Sequence, residues 1–303
     1  MKLKRTLLKY AVILSFFVTL PGIYSQTDSV KSVDSLIFKG TLGKFKNAVS
    51  ISTAREEFIF VSDLEDNKIY KLSTTGVELA SFGGSGLGPN ELNQPYSIDA
   101  SNGLDVLVAD YQNNRIKRLD INLNYILSFD FNSYNLTAES SKKIYNPNGV
   151  MTLSTGEVYV LCDATNYKAA RINDYSEISI VFGSNSLGAE RLEEPVKIVK
   201  GNQLDMWILD KKTGDLINFN NFGVFVKKIT KRGNSPIKSI AYFNDNLFIL
   251  HANELIVYDL KKGQFSKFYR FPAIKSLTDI AVIDKNTVLL LSKDSVHKYS
   301  IQN

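Results

Sequence analysis

A single cysteine, Cys162, stands in the whole chain. No intrachain disulfide is therefore available, and the fold must be held by its own core. Cys162 follows the apolar run VYVL, which reads as a buried small residue rather than a reactive thiol. Histidine is nearly as scarce. Only His251 and His297 occur, neither has a metal-ligand neighbour at close spacing, and there is no H-E-x-x-H. His251, in a turn, is the one lone candidate base, and a surface turn position accounts for it. The G-x-S-x-G elbow of hydrolases is missing too, since Gly83-Gly84-Ser85-Gly86-Leu87 lacks the last glycine. The glycine-rich stretch FGGSGLGPNELNQPYSI (82–98) has neither phosphate-loop spacing, because Pro89 stands where the next glycine or a lysine is needed. These gaps leave no assembled nucleophile, zinc site or nucleotide cradle.

Long apolar runs are absent as well. The longest, AVILSFFVTL (11–20), is too short for a comfortable membrane span. It follows Lys2, Lys4, Arg5 and Lys9 and precedes Pro21-Gly22, so residues 1–25 read as a secretory signal peptide. The expected protein is exported, periplasmic or extracellular, with no stable transmembrane anchor, and 26–303 form one domain. The formal charge of +5 is largely that of the leader: without its four basic residues, 32 basic stand against 31 acidic, or +1. No basic field for nucleic acid remains.

What the chain does have is repetition. Shifted by 100 residues, FGGSGLGPNELNQPYSI falls on FGSNSLGAERLEEPVKI (182–198) without a gap, and Asp63 and Asp110 fall on Asp163 and Asp210. A shorter unit lies within. Apolar runs FIFVS, VLVA, VYVLC, MWIL, LFIL and VLLL are each followed by a polar turn and a second strand. The residues after those runs, Asp63, Asp110, Asp163, Asp210, His251 and Ser292, are spaced 47, 53, 47, 41 and 41 apart. A short strand precedes each hairpin, and another follows the first five. Runs of four to five apolar residues between turn signals read as strands buried on both faces. The fold expected is all-β: a six-bladed β-propeller of four-stranded blades. The sixth unit lacks its last strand, so the N-terminal segment SLIFKG (35–40) is expected to close the ring.

The segment Asn90–Asp130 resembles an NHL repeat. It carries Pro95, Gly103, Val108-Ala109-Asp110, Asn113-Asn114-Arg115-Ile116 and Phe129 in that family's order. The resemblance is good in the first and fourth units and weak in the last two, which lose the Asp. It implies a six-bladed propeller like those of secreted bacterial NHL-like proteins. Some six-bladed propellers are calcium-dependent lactonases or esterases that hold the metal in the central channel. The equivalents here would be Asn148, Glu194 and Asp279. RNA binding, known in some intracellular relatives, does not suit an exported chain of charge near zero.

The recurring Asp residues lie around a ring and do not converge, so their expected role is to accept backbone N–H bonds within their own turns. DLEDNK (63–68) lacks the Gly and distal Glu of a calcium loop and reads as a solvated turn. One ring face collects the long loops 83–94, 132–146 and 183–194, and binding residues concentrate on such loops. The candidate ligand residues there are Asn90, Glu91, Tyr111, Arg115, Tyr145, Tyr167 and Arg191. The function expected is a non-catalytic, monomeric binding scaffold for a protein, peptide or glycan, without a cofactor. A calcium-dependent hydrolase and a structural component of the cell envelope are the alternatives.

Overall fold

Alternation along each strand decides the architecture. In Asp105–Asp110, Val106 and Val108 turn toward the preceding blade, whereas Leu107 and Ala109 turn toward the following one. All four are essentially inaccessible. A strand apolar on both faces must be covered on both, and stacked sheets do this with the same residue types at every junction. The computed structural model describes residues 34–163, 167–184, 188–202, 204–230 and 235–301. Residues 1–33, and with them the expected signal peptide, lie outside the described residues.

The described residues form six sheets arranged as a propeller. The inner strands are Ala48–Ala54, Pro95–Asp99, Pro147–Thr152, Pro195–Lys200, Ser239–Phe243 and Leu277–Asp284, in blades 1 to 6. Each packs against the next, and the last returns to the first. Antiparallel hairpins then lead outward through each blade. Six apolar clusters fill the six junctions, one for each adjacent pair of blades. Burying one such side chain stabilises the fold by about 1.5–3 kcal/mol.

The ring closes through the N-terminal strand. Ile37–Leu42 pairs antiparallel with Val296–Ser300 and supplies the outer strand of blade 6. The strand sits two residues further along than SLIFKG suggested. Asp34 and Ser35 go instead to the outer strand of blade 5, in parallel pairing with Tyr269 and Arg270. Leu36, between the two, is buried in the junction of blades 5 and 6. The N-terminal segment thus covers one exposed edge and completes another sheet.

Two local features carry the repeat. Gly83 and Gly183 have φ of +110° and +69°, and a Cβ at either would run into Leu92 or Leu192. That close approach explains the matched FG and Leu positions in the two links. The loop 132–146, expected to be irregular, contains a short helix, Phe131–Thr137. Asp130 caps it by accepting from Asn132 N, and buried Asn135 exchanges two hydrogen bonds with the Ile144 backbone.

Candidate functional site

The turn aspartates are structural, as their spacing implied, but only three of the four. Asp63 accepts from Lys46 N and Asn47 N with one oxygen and from Glu65 N and Asp66 N with the other. Asp210 makes the same four bonds, to Glu193, Glu194, Lys212 and Thr213. Asp110 accepts from Asn93 N, Asn113 Nδ2 and Arg115 Nε. Each carboxylate ties a blade-to-blade link to a hairpin turn. In blade 3 the register differs. Pro147 pairs with Cys162, where Ala48, Pro95 and Pro195 pair with Asp63, Asp110 and Asp210. Cys162 is the buried residue at the clamp position. Asp163 lies one step on, exposed, and accepts from Tyr111 Oη at 3.0 Å.

The expected ligand residues of the long loops divide sharply. Arg115 is an internal clamp: besides Asp110 at 2.7 Å it donates to the Leu87, Gly88 and Glu91 carbonyls. All three guanidinium nitrogens are engaged within the chain. Lys117, missed by sequence reasoning, reinforces it by donating to the Gly88 and Pro89 carbonyls between the Phe82 and Tyr125 rings. Burial, with Arg115 adding to it, pulls the Lys117 ammonium down to about 8. Glu91 folds back on Gly88 N at 2.7 Å. Arg191 pairs with Glu193 at 3.4 Å. Asn90 and Tyr145 are exposed on the loops, and Tyr167 is half-buried. Of the seven, Tyr111 alone reaches the site described next. His251 also departs from expectation: it is buried beside Leu216, Ile237, Ile249 and Ile256, not on the surface.

That site is built by the inner strands. Five of them carry a bulge at their second residue, between Ala48 and Ser50, Pro95 and Ser97, Pro147 and Gly149, Pro195 and Lys197, and Leu277 and Asp279. A bulge leaves one residue unpaired and re-aims its side chain. The residues so treated are Val49, Tyr96, Asn148, Val196 and Thr278. Lys238, just before the blade 5 strand, takes the sixth place. All six line one recess of about 340 Å³ at the mouth of the central channel, on the long-loop face. The sequence signal was present: these are the residues just after Ala48, Pro95, Pro147, Pro195, Ile237 and Leu277. It is visible only once the hairpins are aligned by pairing.

The next position in each strand forms a collar beneath them. Asp279 Oδ2 accepts from Ile51 N at 2.9 Å and from Lys197 Nζ at 2.5 Å, and Oδ1 accepts from Ser239 Oγ at 2.5 Å. Ser50 Oγ accepts from Ile98 N, and Ser97 Oγ from Val150 N, both at 3.3 Å. Asn148 Nδ2 donates to the Pro195 carbonyl at 3.2 Å. The collar joins blade 6 to 1, 1 to 2, 2 to 3, and 3 to 4, and returns across the channel from blade 4 to 6. Lys197 lines both the mouth and a cavity of about 90 Å³ behind it. Lys200 marks the far end, donating to the Ser101 carbonyl at 3.5 Å.

The calcium candidates Asn148, Glu194 and Asp279 each have a partner within the chain. Asn148 and Asp279 do line the mouth, but Asp279 is buried with Lys197 as its cation. Glu194 turns outward to Lys211 at 2.8 Å, with its side chain half exposed. No group of three His, Cys, Asp or Glu able to hold a metal occurs among the described residues.

Tyr96 is the large exposed side chain of the mouth. Its ring lies 4.7 Å from that of Tyr111 at an interplanar angle of 36°. Burial, helped by the hydrogen bond to Asp163, holds the Tyr111 phenol above its ordinary pKa, so it stays a neutral donor. Tyr96 is thus set on a fixed partner before any ligand arrives.

Fold and site together define a six-bladed propeller with a recess at one end of its channel. No protein-family model matches the chain, and neither does the sequence of any curated protein. Similar solved structures do exist. One is a catalytically inactive variant of virginiamycin B lyase from Staphylococcus aureus with quinupristin, at 14% identity and TM-score 0.61, covering 88% of this chain and 100% of that one. A streptogramin B lyase structure aligns at 13% identity and TM-score 0.58, over 89% of this chain and 87% of that one. At such identities the likeness establishes the fold alone.

Proposed function

We propose that this chain is an exported, non-catalytic binding module of the cell envelope that takes its ligand at the channel mouth on the long-loop face. One observation carries the reading. At the clamp position three blades, 1, 2 and 4, repeat one residue type, Asp, because a structural task is repeated. The five bulge positions carry valine twice, tyrosine, asparagine and threonine, and Lys238 takes the matching place in blade 5. A backbone device shared by five blades that presents varied chemistry is how a near-symmetric scaffold makes an asymmetric site. A recess of about 340 Å³ falls in the range of small-ligand sites, roughly 300–1,000 Å³. It suits a small molecule or a short piece of a chain rather than a flat protein surface.

The resemblance to NHL repeats is consistent with a binding role. The structural neighbours bring a rival, since the proteins they show are lyases. Neither histidine lines the mouth, and the Ser239–Asp279–Lys197 group is locked into the collar. Incubation with quinupristin, or with lactones and calcium, should therefore give no product. The binding reading is tested by screening the full chain against peptide and glycan arrays, with Tyr96→Ala and Lys238→Met in parallel. Binders lost in both variants support the mouth. Binders untouched by either would move the site elsewhere.

A further inference from the structure

We infer that the mouth recognises a carboxylate-bearing saccharide, with Lys238 taking the carboxylate and Tyr96 the sugar ring. The inference rests on the binding role proposed above and names its ligand class.

The charges at the mouth are unevenly answered. Lys197 is neutralised by buried Asp279, and Lys211 by Glu194. Lys238 is exposed and has no carboxylate partner among the described residues. The recess therefore offers one uncompensated cation at its rim, where an anion is attracted without losing all of its hydration. Across the mouth stands Tyr96, 41% exposed yet fixed by its stack on Tyr111. An aromatic face is negative at its centre, and the ring C–H groups of a pyranose are slightly positive, so the two stack. Thr278 Oγ1 donates to the Leu291 carbonyl at 3.3 Å, which leaves its lone pairs to accept from a sugar hydroxyl.

A peptide is the competing ligand, and the backbone argues against it. Extended peptides bind by adding to a sheet edge, or by seating a terminal carboxylate in a nest of free N–H groups. Directly beneath the mouth three inner-strand N–H groups are already bonded: Ile51 N to Asp279, Ile98 N to Ser50 and Val150 N to Ser97. The mouth itself is lined by varied side chains, which favours a ligand read by side chains.

The test is calorimetric titration of the full chain with galacturonate, glucuronate and sialate oligosaccharides, their neutral counterparts, and a tripeptide with a free C-terminus. We expect saturable binding of at least one acidic oligosaccharide, at least ten-fold weaker binding of its neutral counterpart, and weakening by salt. Lys238→Met should abolish the preference for acid, and Tyr96→Ala should weaken acidic and neutral forms alike, both with unchanged thermal midpoints. Equal binding of neutral and acidic forms, still sensitive to Tyr96, would overturn the anion assignment but leave the mouth in place. Binding unaffected by either substitution would overturn the mouth itself. Binding of the tripeptide alone, or of no acidic saccharide, would overturn the ligand class.

Discussion

Removing the Asp279 carboxylate should loosen the ring at its centre. Asp279 accepts from Ile51 N of blade 1, Lys197 Nζ of blade 4 and Ser239 Oγ of blade 5. Asp279→Ala leaves the Lys197 ammonium without its counter-charge in a site where its side chain is only 15% exposed. It also orphans the Ile51 N–H. Breaking a buried pair from one side costs about 3–5 kcal/mol, and a buried orphan donor about 1–3 kcal/mol. The two penalties overlap, so about 4 kcal/mol is expected for the substitution. For a domain of this size that corresponds to a fall in thermal midpoint of roughly 8–16 °C. Differential scanning calorimetry measures it. The control is Lys197→Met with Asp279→Leu, which removes both charges and fills the space. That double variant should recover most of the loss, because buried pairs are often replaced by apolar residues at little cost. A midpoint within a degree or two of wild type for Asp279→Ala, or a double variant as unstable as the single, would refute the collar as a stabilising device.

Three further outcomes follow from the same structure. Deleting Gln26 to Gly40 removes most of the closing strand, buried Leu36 and the Phe38–Tyr299 edge contact at 5.4 Å. The loss should be about 5 kcal/mol, and a melting curve close to wild type would mean the ring does not depend on this closure. Burial lowers the His297 pKa below its ordinary 6.5, against the opposing pull of Asp294. The unfolded chain therefore takes up a proton first as pH falls, so stability present above pH 6.5 is lost as pH drops through the folded-state value. His297→Gln should flatten the midpoint-against-pH curve between about pH 5 and 7, and an unchanged slope would contradict this. Arg115→Ala removes bonds to Asp110 and three carbonyls of the 83–94 loop. It should cost about 2–3 kcal/mol and speed amide exchange in that loop while leaving ligand affinity within about two-fold. A large affinity loss without loss of stability would restore Arg115 as a contact residue.

The architecture was legible because its cause is local and repeated. Six apolar hairpin cores at near-regular spacing, each double-faced, admit few folds other than stacked blades, and all six first hairpin strands formed where the apolar runs lie. The closing strand was legible from a missing partner in the last unit. The blade 3 register was not. The order of the apolar runs aligns Asp163 with Asp110, but strand pairing puts Cys162 there, and one residue of slip sends Asp163 to Tyr111 instead. The site was the least legible part. Sequence reasoning favoured long loops and their Arg and Tyr residues, yet Arg115 faces inward because the loop carbonyls need donors. The mouth is made by residues two positions into short strands, where alternation alone would place them on a buried face. Only the bulge turns Tyr96 outward, and a bulge depends on the register between strands rather than on any one residue type. Asn148 and Asp279 both line the channel mouth, but nothing in the spacing showed that Lys197 reaches across from blade 4 to pair with Asp279.

The central claim is that ligand binds at the ring of bulge residues and not on the outer loops. Two double variants separate the possibilities in one titration series with an acidic oligosaccharide. Tyr96→Ala with Lys238→Met removes two exposed mouth residues. Asn90→Ala with Tyr145→Ala removes two exposed loop residues on the same face. The first pair should raise Kd by at least a hundred-fold and the second by less than two-fold. The reverse pattern, affinity lost with the loop pair and kept with the mouth pair, would contradict it.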